Sequence, residues 1–332
     1  MEIKKVQEVK GSYYIYLPKA WCKKYIILPD GSEPKELREV QLKQNEDDSI
    51  LILPRTRHLS ERLDLSIQIN KDTNEESCLN SLLAAYIVGV DYIVLDSADK
   101  MSLDLRARIA QLLKPLLGFE IIEESSTKIV IQEVSTTIKL DDMIRQLLAK
   151  VEVHLNDIND LMENLNIHDA KIVRDKDDEI DKFRYSIERQ IHQILRQPHL
   201  AREMKITQIE GLHISQCTKY LERIADHGVG IANLIIDARN PSSDLLKIYK
   251  QVSDLYNQVK SNFYPEDVEA NYDIIGAHYE IINKLDELEL KNKGDQPFAI
   301  HLKRICSYCS DIAEVRINSF VYKDAHGPTT SS

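Results

Sequence analysis

The alternation of hydrophobic and polar residues changes period twice along the chain. It passes from short strands to a strand–helix mixture, and then to an almost wholly helical pattern. Residues 4–9 and 13–17 read as strands broken by Lys10-Gly11-Ser12, and the second is rich in aromatics. Pro18 stands where a helix starts, and residues 19–24 continue it. Pro29-Asp30-Gly31 marks a turn; residues 40–42 and 49–54 give two more strands around the acidic loop Asn45-Glu46-Asp47-Asp48. Residues 1–54 therefore predict a β-β-α-β-β module, which is too small for a comfortable core and calls for a second copy.

Residues 55–135 predict a small β-α-β-α-β-β sheet with its helices on one face. Residues 63–69 alternate as a strand, 75–88 carry a helical period, and 91–95 form a buried strand. Ser102 caps a helix over 103–117, and Ser125-Ser126-Thr127 joins strands at 119–123 and 128–132. This region holds no phosphate-binding glycine loop, no nucleophile elbow and no clustered His or Cys, and reads as a spacer.

Residues 136–323 predict six helices, over 138–164, 168–196, 204–238, 243–263, 266–292 and 297–322. Apolar positions such as Ile144, Leu147, Leu148, Val151, Leu155, Ile158 and Leu161 have bundle spacing. Tyr220-Leu221-Glu222-Arg223-Ile224-Ala225-Asp226 is echoed by Tyr308-Cys309-Ser310-Asp311-Ile312-Ala313-Glu314, which predicts a repeated three-helix unit. The fold class is thus multidomain: a β-rich head, a small α/β region and an all-α region of two three-helix bundles.

Charge adds an asymmetry. The 332 residues carry a net charge of −11, which speaks against general nucleic-acid binding by the whole surface. Residues 1–28, however, hold six lysines and two acids, whereas residues 136–332 hold 25 basic and 32 acidic residues. A basic head on an acidic body is the asymmetry to follow, and lysines of this kind meet phosphates without choosing a sequence. No arginine precedes Arg38, so the commonest bidentate guanine reader is missing there. The alternative is an oligomerisation module made soluble by lysines. No secretory leader or membrane-spanning stretch is expected, and five scattered cysteines fit a reducing cytoplasm.

Two acidic stretches hold the candidate chemistry. Asp177 and Asp181, and likewise Glu222 and Asp226, are spaced i, i+4, which puts each pair on one helix face. Converging carboxylates from facing helices suit a hard or borderline cation; solvated acidic faces are the alternative. Cys306 and Cys309 share a helix face and read as apolar packing. His227 reads as a packing or surface residue.

Three resemblances follow. Gly11-Ser12-Tyr13, Leu17-Pro18-Lys19-Ala20-Trp21 and Ile50-Leu51-Ile52-Leu53-Pro54 resemble the SpoVT-AbrB family of swapped-hairpin DNA-binding domains, although the connection over 30–39 is longer than that family's. That resemblance implies DNA as the head's partner, through Lys4, Lys5, Lys10, Lys19, Lys23 and Lys24. Residues 123–132 are similar to a stretch in archaeal proteins that fuse such a head to a PhoU domain. Asp177-Asp178-Glu179-Ile180-Asp181, followed by Leu221-Glu222-Arg223-Ile224-Ala225-Asp226-His227, resembles the PhoU family of phosphate-uptake regulators. That last resemblance implies a non-enzymatic regulator of phosphate homeostasis that holds iron or zinc at Asp177, Asp181, Glu222 and Asp226. Glu314 keeps one position of a second, weaker site in which Ser310 replaces an acid and helix five offers only Asp273 with Ala277. It also implies a phosphate transporter or phosphate-sensing signalling protein as partner; the small head is what calls for a homodimer or higher oligomer. The alternatives are a metal-dependent hydrolase using the carboxylates, or a scaffold without metal.

Overall fold

The computed structural model describes residues 4–26, 39–44, 49–54, 62–70, 72–134, 138–197, 200–201, 204–265 and 267–326. The turn expected at 29–31, most of the 30–39 connection, the acidic loop 45–48 and the tail beyond 326 lie outside them. The chain divides into two compact units, Met1–Glu61 and Arg62–Ser332.

In the first unit β1 (Gln7–Val9) pairs with β2 (Ser12–Tyr14), and β3 (Val40–Gln44) pairs with β4 (Ile50–Pro54), both antiparallel. Between them lies α1 (Lys19–Tyr25), entered through Pro18. The β1–β2 turn needs two positive φ values, supplied by Lys10 at 53° and Gly11 at 79°. None of this unit's described residues is buried; Val6, Val9, Tyr13, Tyr14, Ile15, Tyr16, Leu42 and Ile50 are all at least half exposed. The unit is β-rich with two small sheets, and its described residues do not close a core within one copy.

The second unit begins with a four-stranded sheet. Its elements run β5 (Asp64–Ile69), α2 (Glu75–Ile87), β6 (Tyr92–Ser97), α3 (Leu103–Leu113), β7 (Phe119–Glu124) and β8 (Lys128–Glu133), with strand order β5-β6-β8-β7. β5 and β6 are parallel, with Leu65 opposite Ile93 and Ile67 opposite Leu95. The cap expected at Ser102 is present: its Oγ accepts from the Leu105 amide. Leu82, Ile93, Leu95, Ile109, Ile129 and Ile131 are fully buried in this layer's core.

The remainder is mostly helical: α4 (Leu140–Asn164), α5 (Ile167–Asp175), α6 (Asp177–Arg196), α7 (Gln208–Ile236), α8 (Ser243–Ser261), α9 (Val268–Lys291) and α10 (Gln296–His326). The single helix expected over 168–196 is two. It is interrupted at Lys176, where the acidic run 177–179 starts a new first turn, a position at which carboxylates favour the helix dipole. α4 ends at Leu165, which adopts φ 55°, and Asn166 caps α5 by accepting from the His168 and Asp169 amides. α7 opens with a capping box of Thr207 and Glu210. α7 packs against α4, α5 and α6 on one side and against α10 on the other, while α10 also packs on α8 and α9. Tyr249 and Tyr256, fully buried, donate from α8 to the Leu155 and Leu148 carbonyls of α4 at 2.6 and 2.7 Å. One continuous core therefore joins the two helix groups. Among the described residues no helix is long and apolar enough to cross a membrane.

Gly228 lets α7 approach α4. A Cβ there would stand 2.5 Å from His154 Nε2, and His154 is buried with that nitrogen donating to the Ala225 carbonyl at 3.2 Å. Gly228→Ala is expected to lower stability by about 1–3 kcal/mol in urea unfolding, although alanine is the better helix former. An unchanged midpoint would mean that the α4–α7 contact has slack.

α6 docks the α/β layer onto the helices. Arg189, which is 3% exposed, donates to the carbonyls of Tyr86 and Val90 at 2.7 and 2.9 Å and to Glu133 at 2.6 Å, and Asp91 lies 3.4 Å away. Its guanidinium also stands over the rings of Tyr86 and Phe119. Ser186 of α6 shares a 3.0 Å hydrogen bond with the Tyr86 hydroxyl.

Candidate functional site

The acid pairs lie on adjacent elements. Asp177 and Asp181 occupy the start of α6; Glu222 and Asp226 lie in the middle of α7, against which α6 packs. All four are half-buried, so neither pair is a solvated face. Asp177 is held up at about 7, first by burial and then by the charges of Asp181, Asp226 and Glu222. Glu222 is likewise held at about 7, first by burial and then by Asp226, with Asp181 adding and Arg184 and Arg223 opposing. Asp181 is raised by burial, against the opposing pull of its hydrogen bond from Tyr185 and the charge of Arg184. Asp226 is raised by burial, with Arg223 and Arg184 opposing. Each pair therefore lies within the electric field of the other.

Two cations and a phenol complete the site. Arg223 reaches Asp226 at 3.3 Å and Glu222 at 3.6 Å, the second distance too long for a hydrogen bond. Arg184 pairs with Glu188 at 3.2 Å. The Tyr185 hydroxyl donates to Asp181 Oδ2 at 3.0 Å. Asp177 Oδ1 and Glu222 Oε2 are buried without a hydrogen-bond partner. Arg184 and Tyr185 are absent from the sequence reading, though Tyr185 stands i+4 from Asp181 and so shares its helix face.

Whether these residues fit a cation turns on two observations. Four carboxylates and two orphaned buried oxygens are the donor chemistry of a hard cation such as Mg²⁺, Mn²⁺ or Fe²⁺; the thiolates and imidazoles usual for structural zinc are not among them. Yet among the described residues no three or more His, Cys, Asp or Glu side chains form a group that could hold a metal ion. The pairs lie on packed helices close enough for their charges to raise one another, yet they do not close on one point. Their donor chemistry suits a hard cation; their arrangement does not assemble a ligand group.

Glu314 lies apart from these four. Its neighbours are Asp311, raised by burial and by Glu314, and His278, lowered by burial and partly restored by Glu314. His278 belongs to α9, the helix from which no acid pair was expected. His227 is neither free surface nor plain packing: its Nδ1 shares a 3.0 Å hydrogen bond with His301 Nδ1, and burial takes it down to about 4. Cys306 and Cys309 are free thiols buried in the core. The six lysines of the head are exposed, and Lys24 stands over the Tyr25 ring.

Residues 144–235 match the PhoU domain, a span that includes all four carboxylates. Two solved structures are similar to part of the chain. One is the phosphate transport system regulatory protein PhoU from Streptococcus pneumoniae, with 16% identity, 55% of this chain and 94% of that one covered, and a TM-score of 0.46. The other is PhoU from Pseudomonas aeruginosa, with 19% identity, 55% and 95% covered, and the same TM-score. No curated protein matches. The domain match supports a PhoU-type region over residues 144–235.

Proposed function

We propose, taking the PhoU-type domain over 144–235 as the premise, that the chain regulates phosphate uptake through a cation held between α6 and α7. The observation that carries this reading is the gathering of four half-buried carboxylates, Asp177, Asp181, Glu222 and Asp226, on two packed helices within the matched span, with Asp177 Oδ1 and Glu222 Oε2 buried and unpartnered. A divalent cation bound there neutralises repulsion that the bare bundle bears, and locks α6 against α7. Asp177, Asp181, Glu222 and Asp226 hold it, with Arg184 and Arg223 limiting the charge. Iron(II) suits this oxygen-only set better than zinc. Glu314, with Asp311 and His278, makes a weaker second locus. The partner is a phosphate transporter or a phosphate-sensing signalling protein, reached through surfaces that the cation stiffens.

The head supplies a second output in this reading. Its exposed Val6, Tyr13, Tyr14 and Leu42 would gain a core if two copies joined, which supports a homodimer. Lys4, Lys5, Lys10, Lys19, Lys23 and Lys24 then present a doubled basic surface to DNA phosphates.

Elemental analysis of the purified wild type beside Asp181→Ala and Asp226→Ala tests the cluster. The wild type should carry stoichiometric metal and both variants little, at unchanged helicity; equal metal in all three would reject the site. Lys19→Glu with Lys23→Glu should weaken a salt-dependent DNA mobility shift at least tenfold. A wild type that shifts no DNA at low salt would leave the head as an oligomerisation module only.

A further inference from the structure

α9 packs on α8 and α10 and buries Asn271, Ile274, Ile281, Leu285 and Leu288. Its outer face is centred on Gly276, which is exposed. A Cβ there would meet nothing within 4 Å, so no contact inside the chain excludes a side chain. Glycine is nonetheless the poorest helix former after proline. What a missing side chain does supply is close approach of another surface to the backbone. Tyr272 and Tyr279, at i−4 and i+3, line one edge of this notch and are 54% and 62% exposed. Asp273 and Glu280, at i−3 and i+4, line the other edge; both are exposed and have no ion pair among the described residues.

We infer that this face of α9 binds the α9 of a second copy of the chain, side by side and parallel, with the two Gly276 residues at the crossing. A second copy is the occupant because the face carries both halves of one contact: phenol O–H donors along one edge and carboxylate acceptors along the other. A half-turn about an axis parallel to the helix sets the phenol edge of each copy against the carboxylate edge of the other, at the same height. Tyr272 then lies beside the second copy's Asp273, and Tyr279 beside its Glu280, so that charge-assisted hydrogen bonds form symmetrically about the axis. The antiparallel arrangement sets Asp273 against Glu280 and tyrosine against tyrosine, and like charges then meet. With no Cβ at the crossing, the two backbones come close enough for the phenols to reach across. Tyrosine suits such a contact: it covers a large area and has only two torsions to order. Neither the lysines of the head nor a cation between α6 and α7 enters this contact, so it stands or falls apart from both.

The test uses the full chain with Cys22→Ser, since the other four cysteines are buried, and a nitroxide spin label on Leu290→Cys, an exposed position of α9. Pulsed electron resonance reads the distance between labels on two copies. Parallel helices packed about 8–10 Å apart should give a distance under about 25 Å. The antiparallel arrangement would separate the labels by about 40 Å along the axis, at 1.5 Å per residue. Gly276→Leu fills the notch and should abolish the short distance. Its unfolding midpoint in urea should not fall, because leucine is the better helix former. Tyr272→Phe with Tyr279→Phe keeps the rings and loses the donors; it should raise the protein concentration needed for the short distance about tenfold. A short distance that survives Gly276→Leu arises from contact elsewhere and overturns the proposal. A distance near 40 Å overturns the parallel pairing. The absence of any distance between copies in the purified chain also overturns it, and leaves the face to a different protein.

Discussion

Arg189→Met is expected to destabilise the second unit by about 3–5 kcal/mol, the usual effect of removing one partner from a buried ionic network. Methionine keeps most of the volume and the contact with Tyr86 and Phe119, so the loss is one of donors. The carbonyls of Tyr86 and Val90 lose their partner, and Asp91 and Glu133 are left side by side at 23% and 21% exposure without their shared cation. Urea unfolding followed by circular dichroism measures it. A loss below about 1 kcal/mol would place Arg189 among ion pairs that contribute little, and would mean that water replaces its bonds.

Acid pH should stabilise the metal-free chain. Asp177 and Glu222, ordinarily near 3.8 and 4.5, are both held at about 7 in the fold. Between those values the folded chain binds protons that the unfolded chain has released, so stability falls as pH rises from about 4 through about 7. One fully titrating group changes stability by about 1.4 kcal/mol per pH unit. The four acids share their protons as a set and are partly solvated, so the expected loss from pH 5 to pH 8 is about 2–4 kcal/mol in total. Asp177→Asn should flatten the profile, and saturating Mn²⁺ at pH 8 should restore the stability lost. A metal-free chain whose stability rises over this window would contradict the burial and repulsion described for these groups.

The cluster was legible because i, i+4 spacing fixes which acids share a helix face, whatever the tertiary structure. The element order of the α/β layer was legible for a similar reason: Leu65, Ile67, Ile93 and Leu95 announce buried strands by alternation alone. Periodicity names a face, however, and not what covers it. Arg189 sits within a regular helical pattern, and nothing in that pattern shows that it reaches residues 98 to 103 positions away. His227 finds His301 across 74 positions, by the same blindness. The break at Lys176 also escaped the sequence, because the surrounding apolar residues Ile172, Val173, Ile180 and Phe183 hold a helical rhythm with no proline or glycine between them. Tyr185 was one step from legible: the spacing that pairs Asp177 with Asp181 extends one turn further to it.

Acids from α6 and α7 that hold one ion between them would reveal it by anomalous scattering from crystals grown with Mn²⁺. A single strong peak is expected about 2.0–2.6 Å from carboxylate oxygens of both helices, with at least one oxygen from Asp177 or Asp181 and one from Glu222 or Asp226. A peak bound by one helix only, or none between α6 and α7 in protein that is otherwise well ordered, would contradict it.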